Sequence, residues 1–382
     1  NVAAFDSIYD MVCLAIDPSN PKHIYAGSWS KGLMEFNNRE LVTVYSKYNS
    51  PLEGFVADLN RVFISGLAFD SKNNLWVANS GASSILHCRK PDGSWQSYNL
   101  GGNASGLDIG EMVIDDYDQK WILMRKEHSI LVFNETITEG KPYKILGSAT
   151  GEGAIPGNTV LSIAVDLDGE IWIGTDAGVA VFYSPDAVFS GNNFDAQRIL
   201  VEQGGYVQYL LENESVTAIT VDGANRKWIG TDKAGVFLLS ADGTQQIYHF
   251  TEDNSPLLSN SIADIALGKD GEVFIGTSLG IVGFRGDSPS PGTIPTEVYA
   301  FPNPVRPSYD GPIGISGLPQ NADVKITTIS GKLVYHTIAA GTQAVWNGRD
   351  FDGQRVQSGV YLVLVSNEDG TEKLITKILF IH

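Results

Sequence analysis

Apolar residues in this chain fall in short alternating runs separated by glycine, aspartate and asparagine. A period of two predicts half-buried β-strands, and these runs lack the 3.6-residue spacing of an amphipathic helix. In one stretch, "SVTAITVD" (215–222), "KWIGTD" (227–232), "GVFLLS" (235–240) and "QQIYHFT" (245–251) predict four consecutive strands joined by tight turns. That stretch belongs to a set. "EIWIGTDAGVAVF" (170–182), "RKWIGTDKAGVFLL" (226–239) and "EVFIGTSLGIVGF" (272–284) repeat one pattern, and looser copies place Tyr25, Trp76 and Trp121 where these have Trp172, Trp228 and Phe274. Successive aromatics stand 51, 45, 51, 56 and 46 residues apart. Four short strands per unit at that period predict an all-β fold, a β-propeller of six visible blades, or seven if the chain was cut inside its ring.

The repeat encodes shape. Trp228 is expected to wedge its ring between neighbouring blades, burying on the order of 200 Å². Gly230 is expected to leave room for a neighbouring backbone or ring, and Gly235 to supply the positive φ of the next hairpin. The last unit, "SIADIAL", "EVFIGT" and "GIVGFR", is one strand short, while the chain opens with a spare strand-like "NVAAF". This predicts circular closure, with the first strand completing the last blade.

"GDSPSPGTIPTE" (286–297) reads as a linker between a propeller at 1–285 and a second domain at 298–382. Beyond it, alternating strands at roughly ten-residue spacing with turns "ISGK", "RDFDGQ" and "NEDGTE" predict a small Ig-like antiparallel β-sandwich with Trp346 in its core.

Charge and composition then narrow the function. The chain of 382 residues carries a net charge of −18, all of it before residue 298, where 37 acids face 19 bases. Such a surface argues against nucleic acid as a partner. No apolar run reaches the length of a transmembrane segment; "VYLVLV" (360–365) is strand-sized. Cys13 and Cys88 lie in apolar strand contexts and read as buried free thiols. The opening "NVAAFDSIYD" has no Met and no signal-like h-region, and is read as a mature chain or an excised fragment.

The repeat resembles the propeller units of two-component regulator sensors, roughly "V..I..D..G..WIGT..G". "SIAVDLDGEIWIGTDAGV" (162–179) carries that pattern, which is strongest over 159–284. The C-terminal segment resembles FlgD-like domains and the sorting domains of type IX-exported proteins through "PNPV" (302–305), "WNGRD" (346–350), "SGVYLV" (358–363) and "TKILFI" (376–381). Together the two resemble the C-terminal half of the PorZ-like family of surface-associated type IX secretion components. The resemblance implies a non-enzymatic protein exported to the periplasm or the outer-membrane cell surface. Its rim would hold a protein partner of the secretion or sortase complex, or a cell-surface polysaccharide. The alternative is the ligand-sensing ectodomain of a two-component regulator that binds glycan fragments.

Catalytic chemistry finds no residues to carry it. "DLDGE" (166–170) opens like a calcium loop, but a strand follows at once where a bidentate acid is needed; it and "RDFDGQR" (349–355) read as hairpin turns. The six histidines have no metal-ligand spacing, and no Walker loop, nucleophile elbow or C-x-x-C motif suggests a cofactor. What remains is binding on the rim, where long connections gather: 48–62, 100–110, 146–159 and 202–215 between blades, and shorter hairpins within them. Trp29, Lys31, Arg125, Lys126 and His128 are the candidates for sugar stacking or anion contact, with Asp176, Asp232 and Lys233 on the equivalent hairpins.

Overall fold

The computed structural model describes residues 10–381 apart from 102–105, 192, 204, 269–270, 286–297, 319–321, 340–342 and 367–371. The expected closing strand "NVAAF" and the expected linker lie outside the described residues. Contacts group the chain into two compact units, one of Asn1–Val165, Gly169–Ile199 and Leu211–Val216, the other of Asp166–Asp168, Leu200–Leu210 and Thr217–His382.

The first unit contains four antiparallel sheets, each running in chain order. Blade one is Met11–Ile16, His23–Ser28, Leu33–Asn37 and Glu40–Tyr45; blade two is Phe63–Phe69, Leu75–Ser80, Leu86–Arg89 and Trp95–Tyr98. Blade three is Ile109–Ile114, Lys120–Met124, Ser129–Phe133 and Tyr143–Leu146; blade four is Val160–Val165, Ile171–Thr175, Gly178–Phe182 and Gln197–Arg198. The core lies between sheets. Trp76 and Ala78 of blade two cluster with Met112, Ile122 and Phe133 of blade three, and Trp121 and Leu123 cluster with Ile163, Ile171 and Ile173 of blade four.

An aspartate six residues before the wedge tryptophan fixes this packing. Asp70 accepts the backbone N–H groups of Lys72 and Asn74 and the indole N–H of Trp76 at 2.8 Å. Asp115 does the same for Tyr117, Gln119 and Trp121 (2.9 Å), and Asp222 for Ala224, Arg226 and Trp228 (3.3 Å). One carboxylate closes the turn and satisfies a buried indole.

The second unit contains blade five, whose first strand Val216–Val221 begins at the unit boundary, followed by Lys227–Thr231, Val236–Leu239 and Gln246–Phe250. Blade six has three described strands, Ile262–Leu267, Glu272–Thr277 and Gly280–Arg285. Trp228 stacks on Phe250 and meets Phe284 of blade six, 5.7 Å between ring centroids, as the wedge was expected to. Gly235 has the expected positive φ of 79°. The neighbour that Gly230 admits is neither backbone nor ring: an added Cβ would stand 2.5 Å from Ile262 Cγ2. Gly27 and Gly174 hold the same place against Ile64 and Val216, so each glycine seats an aliphatic side chain of the next inner strand. Phe274, aligned with the buried wedges, is 42% exposed, unlike Trp76, Trp121, Trp172 and Trp228. Part of the connection 202–215 is not loop. Leu200–Gln203 and Tyr206–Tyr209 pair as a two-stranded ribbon, the alternation in "YVQY" having the period of a strand.

The calcium-like turn has other work. Within this unit Asp166 receives Lys227 Nζ at 2.8 Å, and Asp168 receives Asn225 Nδ2 at 2.8 Å. In "RDFDGQR", Asp350 accepts the backbone N–H groups of Asp352 and Gln354. The sandwich sets Tyr299–Phe301, Ile313–Ser316 and Gln343–Trp346 in one sheet, and Leu333–Ile338, Asp323–Thr328, Gly359–Ser366 and Glu372–Phe380 in the other. Trp346 sits fully buried at its centre against Tyr361 and Phe380.

Two predictions follow from burial. Gly230→Val forces a branched side chain into Ile262 and should cost at least about 2 kcal/mol in urea unfolding, part of it recovered by adding Ile262→Ala. His87 is fully buried in blade two, and that burial pushes its imidazole from 6.5 down to about 4. Between those values the unfolded chain takes a proton that the folded chain refuses, so stability is full above about pH 6.5 and falls by about 3 kcal/mol on the way to pH 4. The difference in unfolding free energy between the two pH values should shrink by that amount in His87→Leu.

Candidate partner-binding rim

Trp29 and Lys31 lie in the hairpin between the second and third strands of blade one, and Arg125, Lys126 and His128 in the matching hairpin of blade three. The fold brings two of them together. The Arg125 guanidinium lies 4.9 Å from the centre of the Trp29 ring. Its stem runs over Gly110, where an added Cβ would stand 3.1 Å from Nε.

Trp29 also packs against Phe63 at a steep angle, 5.0 Å between centroids. Phe63 stacks on Phe55 at 5.0 Å and carries the Arg61 guanidinium 4.8 Å from its ring centre. Phe55 in turn rests on Gly81, whose φ of 68° and missing Cβ leave space for the ring. The result is a stack running Arg125, Trp29, Phe63, Arg61, drawn from three blades and one connection. Phe55, Arg61 and Phe63 were not singled out from sequence; the first two lie in the long connection 48–62, and their exceptional length of loop was the available signal.

The other candidates do different things. Lys31 is exposed, and its backbone bridges to Val62 beside the stack. Lys126 pairs with Asp108 at 3.7 Å, and His128 is an exposed turn residue with φ 50°. The Asp176 carboxylate accepts the backbone N–H groups of Asn158 (2.7 Å) and Thr159 (3.1 Å). Burial raises its pKa, but those bonds outweigh burial and leave it below the ordinary carboxylate value. Asp195 similarly accepts Gly151 and Gly153 N–H, so the connection 146–159 is pinned by two carboxylates. Asp232 and Lys233 belong to the other unit, where Asp232 accepts the Ser261 hydroxyl at 3.4 Å. Among the described residues Lys31, Lys47, Arg61 and Arg125 make no ion pair, no group of three His, Cys, Asp or Glu side chains is placed to hold a metal, and no helix is long and apolar enough to cross a membrane.

Sheets of this kind, followed by a sandwich, can be set beside known proteins. Residues 299–379 match the secretion system C-terminal sorting domain. A chain with such a domain is an exported one. The whole chain is similar to PorZ of Porphyromonas gingivalis, described as an essential bacterial surface component of the type-IX secretion system. Identity is 30% and the TM-score 0.66, over 97% of this chain and 52% of PorZ. It is also similar to the extracellular domain of a one-component system from B. thetaiotaomicron, at 13% identity and TM-score 0.50, over 97% of this chain and 50% of that one. The second likeness shows the fold alone. The chain spans about half the length of both structures. No curated protein sequence matches it.

Removing the Asp176 carboxylate should free its connection. Asp176→Ala should raise amide exchange at Asn158 and Thr159 at least about tenfold while costing about 1–2 kcal/mol of stability, measured by hydrogen–deuterium exchange and urea unfolding.

Proposed function

We propose that this chain is a non-enzymatic, exported binding protein related to the type IX secretion machinery. Its propeller rim holds a protein partner of the secretion or sortase complex, or a cell-surface polysaccharide, in the periplasm or at the outer-membrane surface. In this reading residues 1–285 are the propeller, 286–297 a linker, and 298–382 the module for export and docking. The sorting-domain match and the likeness to PorZ, itself a surface component, support the type IX setting. The regulator-ectodomain reading has fold likeness behind it and nothing further.

The observation that carries a binding role is the stack of Trp29, Phe63, Arg61 and Arg125, with Lys31 beside it. Aromatic rings and arginines together are the chemistry that dominates binding hot spots. No catalytic step is assigned to them. In a type IX-secreting bacterium, the Trp29→Ala, Arg125→Ala pair should be exported and folded yet lose outer-membrane retention by about tenfold or more. Retention equal to the unaltered protein, judged by cell fractionation, would overturn the assignment.

A further inference from the structure

The rim arginines are set up to read carboxylates, and we propose that their occupant is an acidic protein segment with apolar residues interspersed. This rests on the rim-binding reading above and makes it specific.

The rings of the stack are poor platforms for a sugar. Phe63 is only 9% exposed and lies among Phe55, Trp29 and Arg61. Trp29 is half-buried, with Arg125 over its ring and Phe63 packed against it. The rings therefore act as pedestals. A guanidinium resting on a ring is held in orientation, while its N–H fork projects along its edge and can donate a pair of hydrogen bonds to one carboxylate. Arg61 and Arg125 are both exposed. In a chain of net charge −18, neither is paired with a carboxylate of its own among the described residues.

The surroundings of Arg61 favour a protein over a polysaccharide. The same connection exposes Tyr48 (83%), Leu59 (64%) and Val56 (54%). Lys47 pins it, donating from Nζ to Leu59 O at 2.7 Å and Asn60 Oδ1 at 3.1 Å. Asp58, exposed on the same connection, accepts the Asn60 N–H through one carboxylate oxygen and makes no ion pair with Arg61. Apolar side chains beside unpaired arginines suit a partner that carries both carboxylates and apolar groups; an acidic glycan satisfies the arginines and leaves Tyr48, Leu59 and Val56 in water.

The test uses the full chain and fluorescence anisotropy with three probes: a labelled peptide of about a dozen residues mixing Glu, Asp, Leu and Tyr, its Gln/Asn counterpart, and an oligogalacturonate. The acidic peptide should bind at least about tenfold more tightly than its amide counterpart, and the oligogalacturonate should not displace it. Arg61→Lys with Arg125→Lys keeps the charge but removes the forks, and should weaken binding about tenfold or more; a thermal melt matching the unaltered protein shows that this variant is folded. Equal binding of the amide peptide, full binding by the lysine pair, or displacement by the oligogalacturonate would each overturn the proposal. Absence of acidic-peptide binding would do so too. If the Trp29→Ala, Arg125→Ala pair still loses membrane retention in that case, the rim keeps its role and only the acidic protein segment falls; if retention is also unchanged, both fall.

Discussion

The structure depends on a carboxylate shared between a turn and an indole. A propeller sheet buries both faces against its neighbours, so the wedge between two sheets has to be large, flat and apolar. Tryptophan meets that need but brings an N–H that would cost about 1–3 kcal/mol if buried without an acceptor. Asp70, Asp115 and Asp222 supply the acceptor, and each uses the same side chain to close the turn from which the wedge strand departs. Turn geometry and blade-to-blade packing are thereby set together. After Tyr25, Trp172 and Trp228 the residue two places on is glycine, and its missing Cβ is the socket for the next blade's inner strand; after Trp76 and Trp121 that place is held by Ala78 and Leu123.

The rim stack is a consequence of that socket. Ile64 of blade two is seated over Gly27 of blade one. Trp29 lies two residues beyond Gly27 and Phe63 one residue before Ile64, so the nesting that builds the scaffold also delivers the two rings to each other. Arg61 arrives with Phe63 as the chain approaches the same inner strand. Arg125 comes from blade three through the hairpin equivalent to that of Trp29. Strand register places Phe63, the turn that Ser28 Oγ closes on the N–H groups of Ser30 and Lys31 places Trp29, and the connection 48–62 adds Phe55 beneath.

This division explains what could be read from the sequence. Period, strand count and the buried role of Trp228 and Trp346 were legible because they are written in local alternation and in turn glycines. The ring exposure of Phe274 was not, because burial there is decided by packing outside its own strand, which local alternation does not record. Asp176 looked like a free rim acid since its hairpin is polar. Its partners are backbone N–H groups of a connection some 18 residues earlier, which carry no side-chain signature. Half of the stack was visible as Trp29 and Arg125, but their contact joins blades one and three across 96 residues of sequence, and no spacing rule links them.

Charge gives the rim its meaning. The net charge of −18 opposes the approach of an acidic partner, yet screening confines such fields to about 8 Å in physiological salt. Within that distance the proposed acidic segment would meet guanidiniums that lie over Trp29 and Phe63. The entropy of ordering two long side chains is therefore lost in folding rather than in binding, where it would weaken the complex. Long-range repulsion with short-range, preorganised attraction selects for partners that fit the arginine forks over partners that are merely charged. Under the proposed binding role, a rim built this way would discriminate by geometry, and a net charge of −18 would oppose indiscriminate adhesion to anionic surfaces.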